Sequence, residues 1–376
     1  MARPVGIGLV GTGVVSTYDI LPNLVRPEVR ERLDLVAVCD IAGERAKETA
    51  AHFGVPRWYA DAAELARDPG VEIVAVATPV PHHLAPALAA IGEGKHVYLQ
   101  KTMTLKVAEA DALIAAARRA GVKIAAAPGN HLRSPSFRAV RERLNAGAIG
   151  KICWGRAQKG TRHEEDARRQ PGGQLAAVDP TWYYKPGGGP LRDAAVYDLH
   201  AVTWLLGPAW RVTAMSGIAI PERRWQDRSI DVEMDDNTHF ILDFGEARYV
   251  VFSSHFVRGS QQVPSLELYG ETGSVVMGGR SEGGYELFAA SADRDRGGFV
   301  EARVEVGAAE PSGAALEGLN HYIIGDLVHL ADCILEDRQP ELGAEQARHV
   351  IEIIERTYES ARRGKTLDLE TSFPWP

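Results

Sequence analysis

Apolar and polar positions follow two different rhythms along this chain. Through the first third, short apolar runs alternate with helix-period segments: Val5 to Val10, Leu35 to Asp40, Val71 to Thr78, His96 to Gln100 and Lys123 to Ala127. Continuous apolar runs set between amphipathic segments predict buried parallel strands alternating with helices, which is the rhythm of a doubly wound α/β domain. One such helix spans Thr104 to Ala120, with Leu105, Leu113, Ile114 and Ala117 on an apolar face, Thr104 as its N-cap and Gly121 just past its end. After Gly129-Asn130 the rhythm changes. A further helix, Ser136 to Asn145, leads to Thr238 to Phe244, Arg248 to Phe256, Leu266 to Tyr269 and Ser274 to Met277, where apolar and polar residues alternate between glycine turns. That alternation predicts an antiparallel or mixed sheet with one open face. Helical segments Leu319 to Glu336 and Ala344 to Arg363 close the chain, and Pro340 separates them.

The first apolar run ends in Gly11-Thr12-Gly13-Val14-Val15-Ser16, and Asp40 closes the second. A strand that runs into a glycine turn and then a helix is the fingerprint of a Rossmann dinucleotide site: the first glycine permits the turn, and the second lets the backbone approach a pyrophosphate. Gly6-Ile7-Gly8-Leu9-Val10-Gly11 matches G-x-G-x-x-G more literally but lies inside the strand, so context selects the later register, in which Ser16 replaces the third glycine. A carboxylate at the end of the second strand accepts hydrogen bonds from the adenosine ribose and repels a 2′-phosphate. NAD is therefore favoured over NADP. The expected architecture is α/β: an N-terminal Rossmann doubly wound parallel sheet over residues 1–128, and a C-terminal α+β domain over residues 129–376 with a large open-faced, mostly antiparallel sheet.

Length and composition narrow the possibilities further. A chain of 376 residues fits about two domains, and a formal charge of -8 without a basic block argues against nucleic acid or an acidic membrane as partner. Cys39, Cys153 and Cys333 stand far apart with no C-x-x-C, which fits buried thiols in a reducing cytoplasm better than disulfides or a zinc site. The N-terminus enters the first strand directly and no apolar run reaches the length of a membrane span, so a cytoplasmic location is expected. His82-His83 and His163-Glu164-Glu165 lack the i, i+4 pairing of a zinc helix, and no metal is expected. There is no G-x-S-x-G and no P-loop, so hydrolase and kinase readings have no motif.

Three further segments join the fingerprint: Ala77-Thr78-Pro79-Val80-Pro81-His82-His83 with Glu93-Gly94-Lys95-His96-Val97, then Leu99-Gln100-Lys101-Thr102, then Gly187-Gly188-Gly189 through Asp193 and Tyr197 to His200. With them the whole chain resembles the glucose-fructose oxidoreductase, inositol dehydrogenase and rhizopine-catabolism family (Gfo/Idh/MocA). That family usually writes Glu-Lys-Pro where this chain has Gln100-Lys101-Thr102, and it writes a histidine and an aspartate where this chain has Tyr197 and His200. The resemblance implies a cofactor site formed by Gly11, Thr12, Gly13, Val14, Val15, Asp40, Thr78, Pro79, His83, Gln100 and Lys101. It also makes Lys101 the principal acid or base, with Tyr197 and His200 assisting and Asp193 orienting substrate hydroxyls. Physically, a lysine at the carboxyl end of a parallel strand points into the ligand crevice, and burial beside an oxidised nicotinamide disfavours its ammonium form. Asp193, Tyr197 and His200, at i, i+4 and i+7, share a helix face, while Val196, Leu199, Thr203 and Leu206 line another.

The leading expectation is an NAD-dependent oxidoreductase acting on a secondary alcohol or hemiacetal carbon of a sugar, polyol, inositol or derivative. The long polar segment Thr161 to Pro186 supplies His163 and Trp182 as substrate contacts. Two alternatives stand beside it: an NAD-dependent glycosidase or lyase working by transient oxidation and elimination, and a non-catalytic NAD-binding regulator. An open-faced sheet in this family implies a homo-oligomer, dimer or tetramer.

Overall fold

The computed structural model of the chain describes residues 3–160, 167–169, 175–177, 179–257, 263–277, 285–293, 298–304 and 322–375. Two compact units divide it: Met1–His131 with Ala167–Val178 and Gly313–Ile351, and Leu132–Asp166 with Asp179–Ser312 and Glu352–Pro376. The C-terminal helices, however, are not simply part of the second unit, because Gly313–Ile351 clusters with the first.

The first unit is built on strands β1 (Val5–Val10), β2 (Leu33–Cys39), β3 (Arg57–Tyr59), β4 (Ile73–Val76), β5 (His96–Leu99) and β6 (Ile124–Ala126). They form one sheet in the order β3-β2-β1-β4-β5-β6, and every pairing is parallel. Both faces are covered, which is why the strands read as unbroken apolar runs. Along β4, Val74 and Val76 enter one buried cluster while Ile73 and Ala75 enter the other. Ile324, Leu327 and Leu330 of the helix Tyr322–Leu335 complete the second cluster, and Ala344, Ala347 and Ile351 complete the first. These apolar contacts explain why the C-terminal segment groups with the sheet that begins the chain.

Three local expectations need correction. The short edge strand β3 has only Arg57, Trp58 and Tyr59 and carried too little apolar pattern to be foreseen. The helix expected from Thr104 begins at Val107: Lys106 is its N-cap, whose N–H donates to Glu109 Oε2 at 3.2 Å, while Thr104 turns its hydroxyl to the Lys106 carbonyl. Gly121 ends that helix in the left-handed region with φ 68°. Of the three thiols expected to be buried, Cys39 and Cys333 are, but Cys153 is exposed.

In the second unit the strands are β7 (Ile152–Gly160), β10 (Arg211–Gly217), β13 (Asn237–Asp243), β14 (Tyr249–His255), β15 (Leu266–Gly270), β16 (Gly273–Met277), β17 (Tyr285–Asp293), β18 (Gly298–Val304) and β19 (Leu367–Asp368). They make a nine-stranded sheet in the order β18-β17-β16-β15-β7-β14-β13-β10-β19, antiparallel except where β7 meets β14. The short pair β11 (Glu222–Trp225) with β12 (Arg228–Asp231) stands apart from it, and β8 (Ala167–Arg169) pairs with β9 (Leu175–Ala177) within the segment that groups with the first unit. On β14, Val250, Phe252 and Ser254 are buried while Tyr249 and Val251 are exposed, so the alternation is that of a sheet with one covered face.

Candidate functional site

The predicted cofactor residues gather at the carboxyl ends of four neighbouring strands, β2, β1, β4 and β5. Backbone bonds Gly11 N to Cys39 O (2.8 Å), Ala77 N to Val10 O (2.9 Å) and Gln100 N to Val76 O (3.1 Å) lace these ends together. Ligands of open parallel sheets bind at such an edge. Gly11 adopts φ 94°, and a Cβ there would stand 2.9 Å from the Ala77 carbonyl oxygen. Gly13 differs, because a Cβ on it would meet nothing within 4 Å. No protein contact demands a glycine at 13. Gly6 and Gly8 are claimed by the fold, since a Cβ on either would collide with Gly70 O or Leu65. Ser16, in the third place, is fully buried and donates its hydroxyl to Gly11 O, closing the turn as well as fitting it.

Asp40 is buried, and its Oδ2 accepts from Thr12 N (2.9 Å) and Thr12 Oγ1 (3.0 Å) while Oδ1 accepts from Ala42 N (3.0 Å) and Arg45. Burial alone would push this carboxyl up. The hydrogen bonds from Arg45, Ala42 and Thr12 outweigh it and hold the group below the ordinary carboxylate value. Both oxygens are engaged by protein donors, and Arg45, whose side chain is 54% exposed, is the one of them that sequence reading missed.

His83 is fully buried, with Nε2 at 2.8 Å from Thr78 O and Nδ1 at 3.2 Å from Met103 O. Desolvation holds its pKa below the usual imidazole value despite those carbonyls. Both ring nitrogens face backbone carbonyl oxygens. The visible part of His83 is to tie the loop after β4 to the loop after Lys101. Val14 and Thr78 are partly buried, and Val15 and Pro79 are exposed. Gln100 and Lys101 follow β5 directly and are partly buried; the Lys101–Thr102 peptide is cis although residue 102 is not proline.

In the second unit, the triple glycine packs against the turn Thr181–Tyr184: Gly189 N donates to Tyr183 O (2.8 Å), and a Cβ on Gly188 would lie 2.5 Å from Trp182 O. Tyr184 is anchored edge-on to Phe256 and beneath the Arg223 guanidinium, which pairs with the buried Asp236. Trp182, tilted against Tyr183 at 4.3 Å, stays exposed. Asp193 lies in a π-helical turn, Leu191–Ala195, and the helix Val196–Leu206 continues from it with Tyr197 and His200. Single π turns inside helices recur at functional sites. Asp193 and Tyr197 are partly buried, whereas His200 is buried, 6% exposed. This helix is not the two-faced element that was expected: apart from Tyr197, every residue in it is buried.

One acid on that helix escaped sequence reading. Asp198 is 8% exposed, and its Oδ2 has no hydrogen-bond partner. Burial pushes its carboxyl up to about 7, with the Lys159 charge pulling the other way. The signal was an acid inside an otherwise apolar run, Ala194-Ala195-Val196 to Leu199. Predicted substrate residue His163 lies outside the described residues, as does much of the segment from Thr161 to Pro186. Among the described residues no group of His, Cys, Asp or Glu could hold a metal ion, and no helix is long and apolar enough to cross a membrane.

Known proteins match this architecture. Residues 5–127 match the model of an oxidoreductase family with an NAD-binding Rossmann fold, GFO_IDH_MocA, and residues 137–276 match the GFO/IDH/MocA C-terminal domain. The levoglucosan dehydrogenase of Pseudarthrobacter phenanthrenivorans is 25% identical over 333 residues, 82% of either chain. The scyllo-inositol 2-dehydrogenase (NAD(+)) of Bacillus subtilis is 28% identical over 284 residues, 74% of this chain and 75% of that one. A levoglucosan dehydrogenase solved with NADH and levoglucosan superposes with a TM-score of 0.79 at 22% identity, covering 98% of this chain and 100% of that one.

Proposed function

The chain belongs to the Gfo/Idh/MocA oxidoreductase family, and from that premise we propose that it is an NAD-dependent dehydrogenase of a sugar, polyol, inositol or related CH–OH compound. The observation that carries the cofactor half is Gly13, a glycine with open space above it, next to a carboxylate kept ionised at the end of β2. Pyrophosphate fits the first and a ribose without a 2′-phosphate fits the second, so NAD is preferred to NADP. When bound, NAD supplies the hydride acceptor and donor, and the protein supplies orientation and proton handling.

Lys101 takes the proton from the substrate hydroxyl during oxidation and returns it during reduction. Tyr197, with a phenol that both donates and accepts, carries the proton onward, and Asp193 accepts hydrogen bonds from neighbouring substrate hydroxyls. His200, held more deeply on the same helix, assists in the proton handling. Trp182, exposed in the second unit, contacts the substrate. The exposed apolar residues on the open sheet, Met215, Ile241, Val251, Tyr249 and Trp154, support a homo-oligomer that buries that face. The free thiols Cys39, Cys153 and Cys333 fit a reducing, cytoplasmic setting.

A panel of sugars, inositols and polyols with NAD, followed by NADH absorbance and product identity together, tests the reading. Stoichiometric NADH and ketone or lactone establish it. Leaving-group release without NADH transfers the assignment to elimination chemistry, and tight NAD binding with no turnover on any member transfers it to a regulator.

A further inference from the structure

Behind Lys101 runs a polar chain made wholly within the first unit. Gln100 Nε2 donates to the Tyr98 hydroxyl at 3.0 Å, and that hydroxyl donates across a longer 3.4 Å to Oδ2 of Asp326, on the helix Tyr322–Leu335. The same Oδ2 accepts from Gly129 N at 3.1 Å. Tyr98 is fully buried and Asp326 is 2% exposed.

The direction of this chain follows from counting protons. Asp326 Oδ2 faces a backbone N–H, so it is an acceptor there. The Tyr98 hydroxyl has one proton, and that proton goes to Asp326, leaving only lone pairs toward position 100. Residue 100 must then donate. A glutamine does so with its amide, whereas an ionised glutamate would set a second acceptor against a hydroxyl with nothing left to give. Low local dielectric makes such a mismatch costly.

We propose that Asp326 is a positioning residue for the proposed site. Through Tyr98 it fixes the amide of Gln100 at the carboxyl end of β5, immediately before Lys101, and it makes position 100 and position 326 a linked pair that tolerates one carboxylate. This inference builds on the NAD dehydrogenase reading, but its test does not require turnover.

The test is a set of variants read by thermal unfolding and by NADH binding fluorescence, with kcat and KM added once a substrate is known. Gln100→Glu alone should lower Tm by about 3 °C at neutral pH and weaken NADH about tenfold, the size of one buried unsatisfied group. Adding Asp326→Asn to Gln100→Glu should recover more than half of both losses, although Asp326→Asn alone destabilises. Because Asp326→Asn also disturbs Gly129, a second background guards the result: in Tyr98→Phe no hydroxyl is shared, and Gln100→Glu should there cost less than half of its wild-type penalty. A Gln100→Glu enzyme indistinguishable from wild type, or a penalty equal in all three backgrounds, overturns the linkage. A wild-type protein that binds no NADH refutes the dehydrogenase reading instead, while the Tm comparison still decides the pairing.

Discussion

Asp40 at the end of β2 and Asp198 on the helix Val196–Leu206 are both buried acids, yet their surroundings push them in opposite directions. Asp40 is ringed by two backbone N–H groups, a hydroxyl and a guanidinium, so burial strengthens its partners and the charge persists. Asp198 has an oxygen with no partner, so burial acts unopposed except by Lys159, and its carboxyl rises to about 7. The difference separates a carboxylate whose hydrogen-bond partners are all in place from one that still carries an unmet oxygen.

The largest effect expected at the strand ends is on chemistry. Lys101→Ala should reduce kcat with a matched sugar by about a thousandfold, as removal of a general acid or base does, while NADH affinity stays within about threefold. A variant that turns over within threefold of wild type removes Lys101 from the mechanism. Next in size is Asp40→Ala, which should show the opposite split: NAD affinity weakened about a hundredfold, with kcat at saturating NAD little changed. Calorimetric titration measures the affinity. If kcat falls instead, Asp40 is not a ribose ligand. Since its pKa is depressed, the stability it contributes is complete above the unfolded value near 4 and is lost only as pH falls through the lower folded value.

Asp198 should behave in reverse. Its folded pKa lies above the unfolded one, so the folded chain binds the extra proton and stability falls as pH rises from about 4 toward about 7. Asp198→Asn abolishes that slope. The difference in Tm between variant and wild type should widen with pH and favour the variant by roughly 5 °C at pH 8, on the order of 2 kcal/mol. A difference that stays flat from pH 4 to pH 8 would mean that a bound water or ligand satisfies Asp198 in solution.

Much of this contrast lay within reach of the sequence, for reasons that differ by residue. The strands that carry Gly11, Asp40 and Lys101 are buried on both faces, so their apolar runs were visible without a structure, and the strand ends fell within two residues of their observed places. The helix Ala344–Arg363 was legible to the residue because its apolar stripe is regular and Pro340 stands before it. Partners distant in sequence were invisible. Asp326 reaches Tyr98 across more than half the chain, and nothing periodic links them. The π turn at Asp193 was equally hidden, because a turn of that kind leaves no composition signal, and an all-round buried helix gives no stripe from which to assign faces.

The smallest expected effect probes how finished the nucleotide site is. Arg45 donates to Asp40 Oδ1 from an exposed position, and exposed pairs contribute about 1 kcal/mol or less. Arg45→Ala should therefore lower Tm by no more than about 2 °C, and it vacates a lone pair that a ribose hydroxyl can use. NAD affinity should hold or improve by up to about threefold, while discrimination against NADP should sharpen as the nearest cation is removed. Parallel titrations with NAD and NADP give the ratio directly. An NAD affinity that drops tenfold would show that the guanidinium contacts the cofactor itself, and the β2 end would then be completed by its ligand rather than in advance of it.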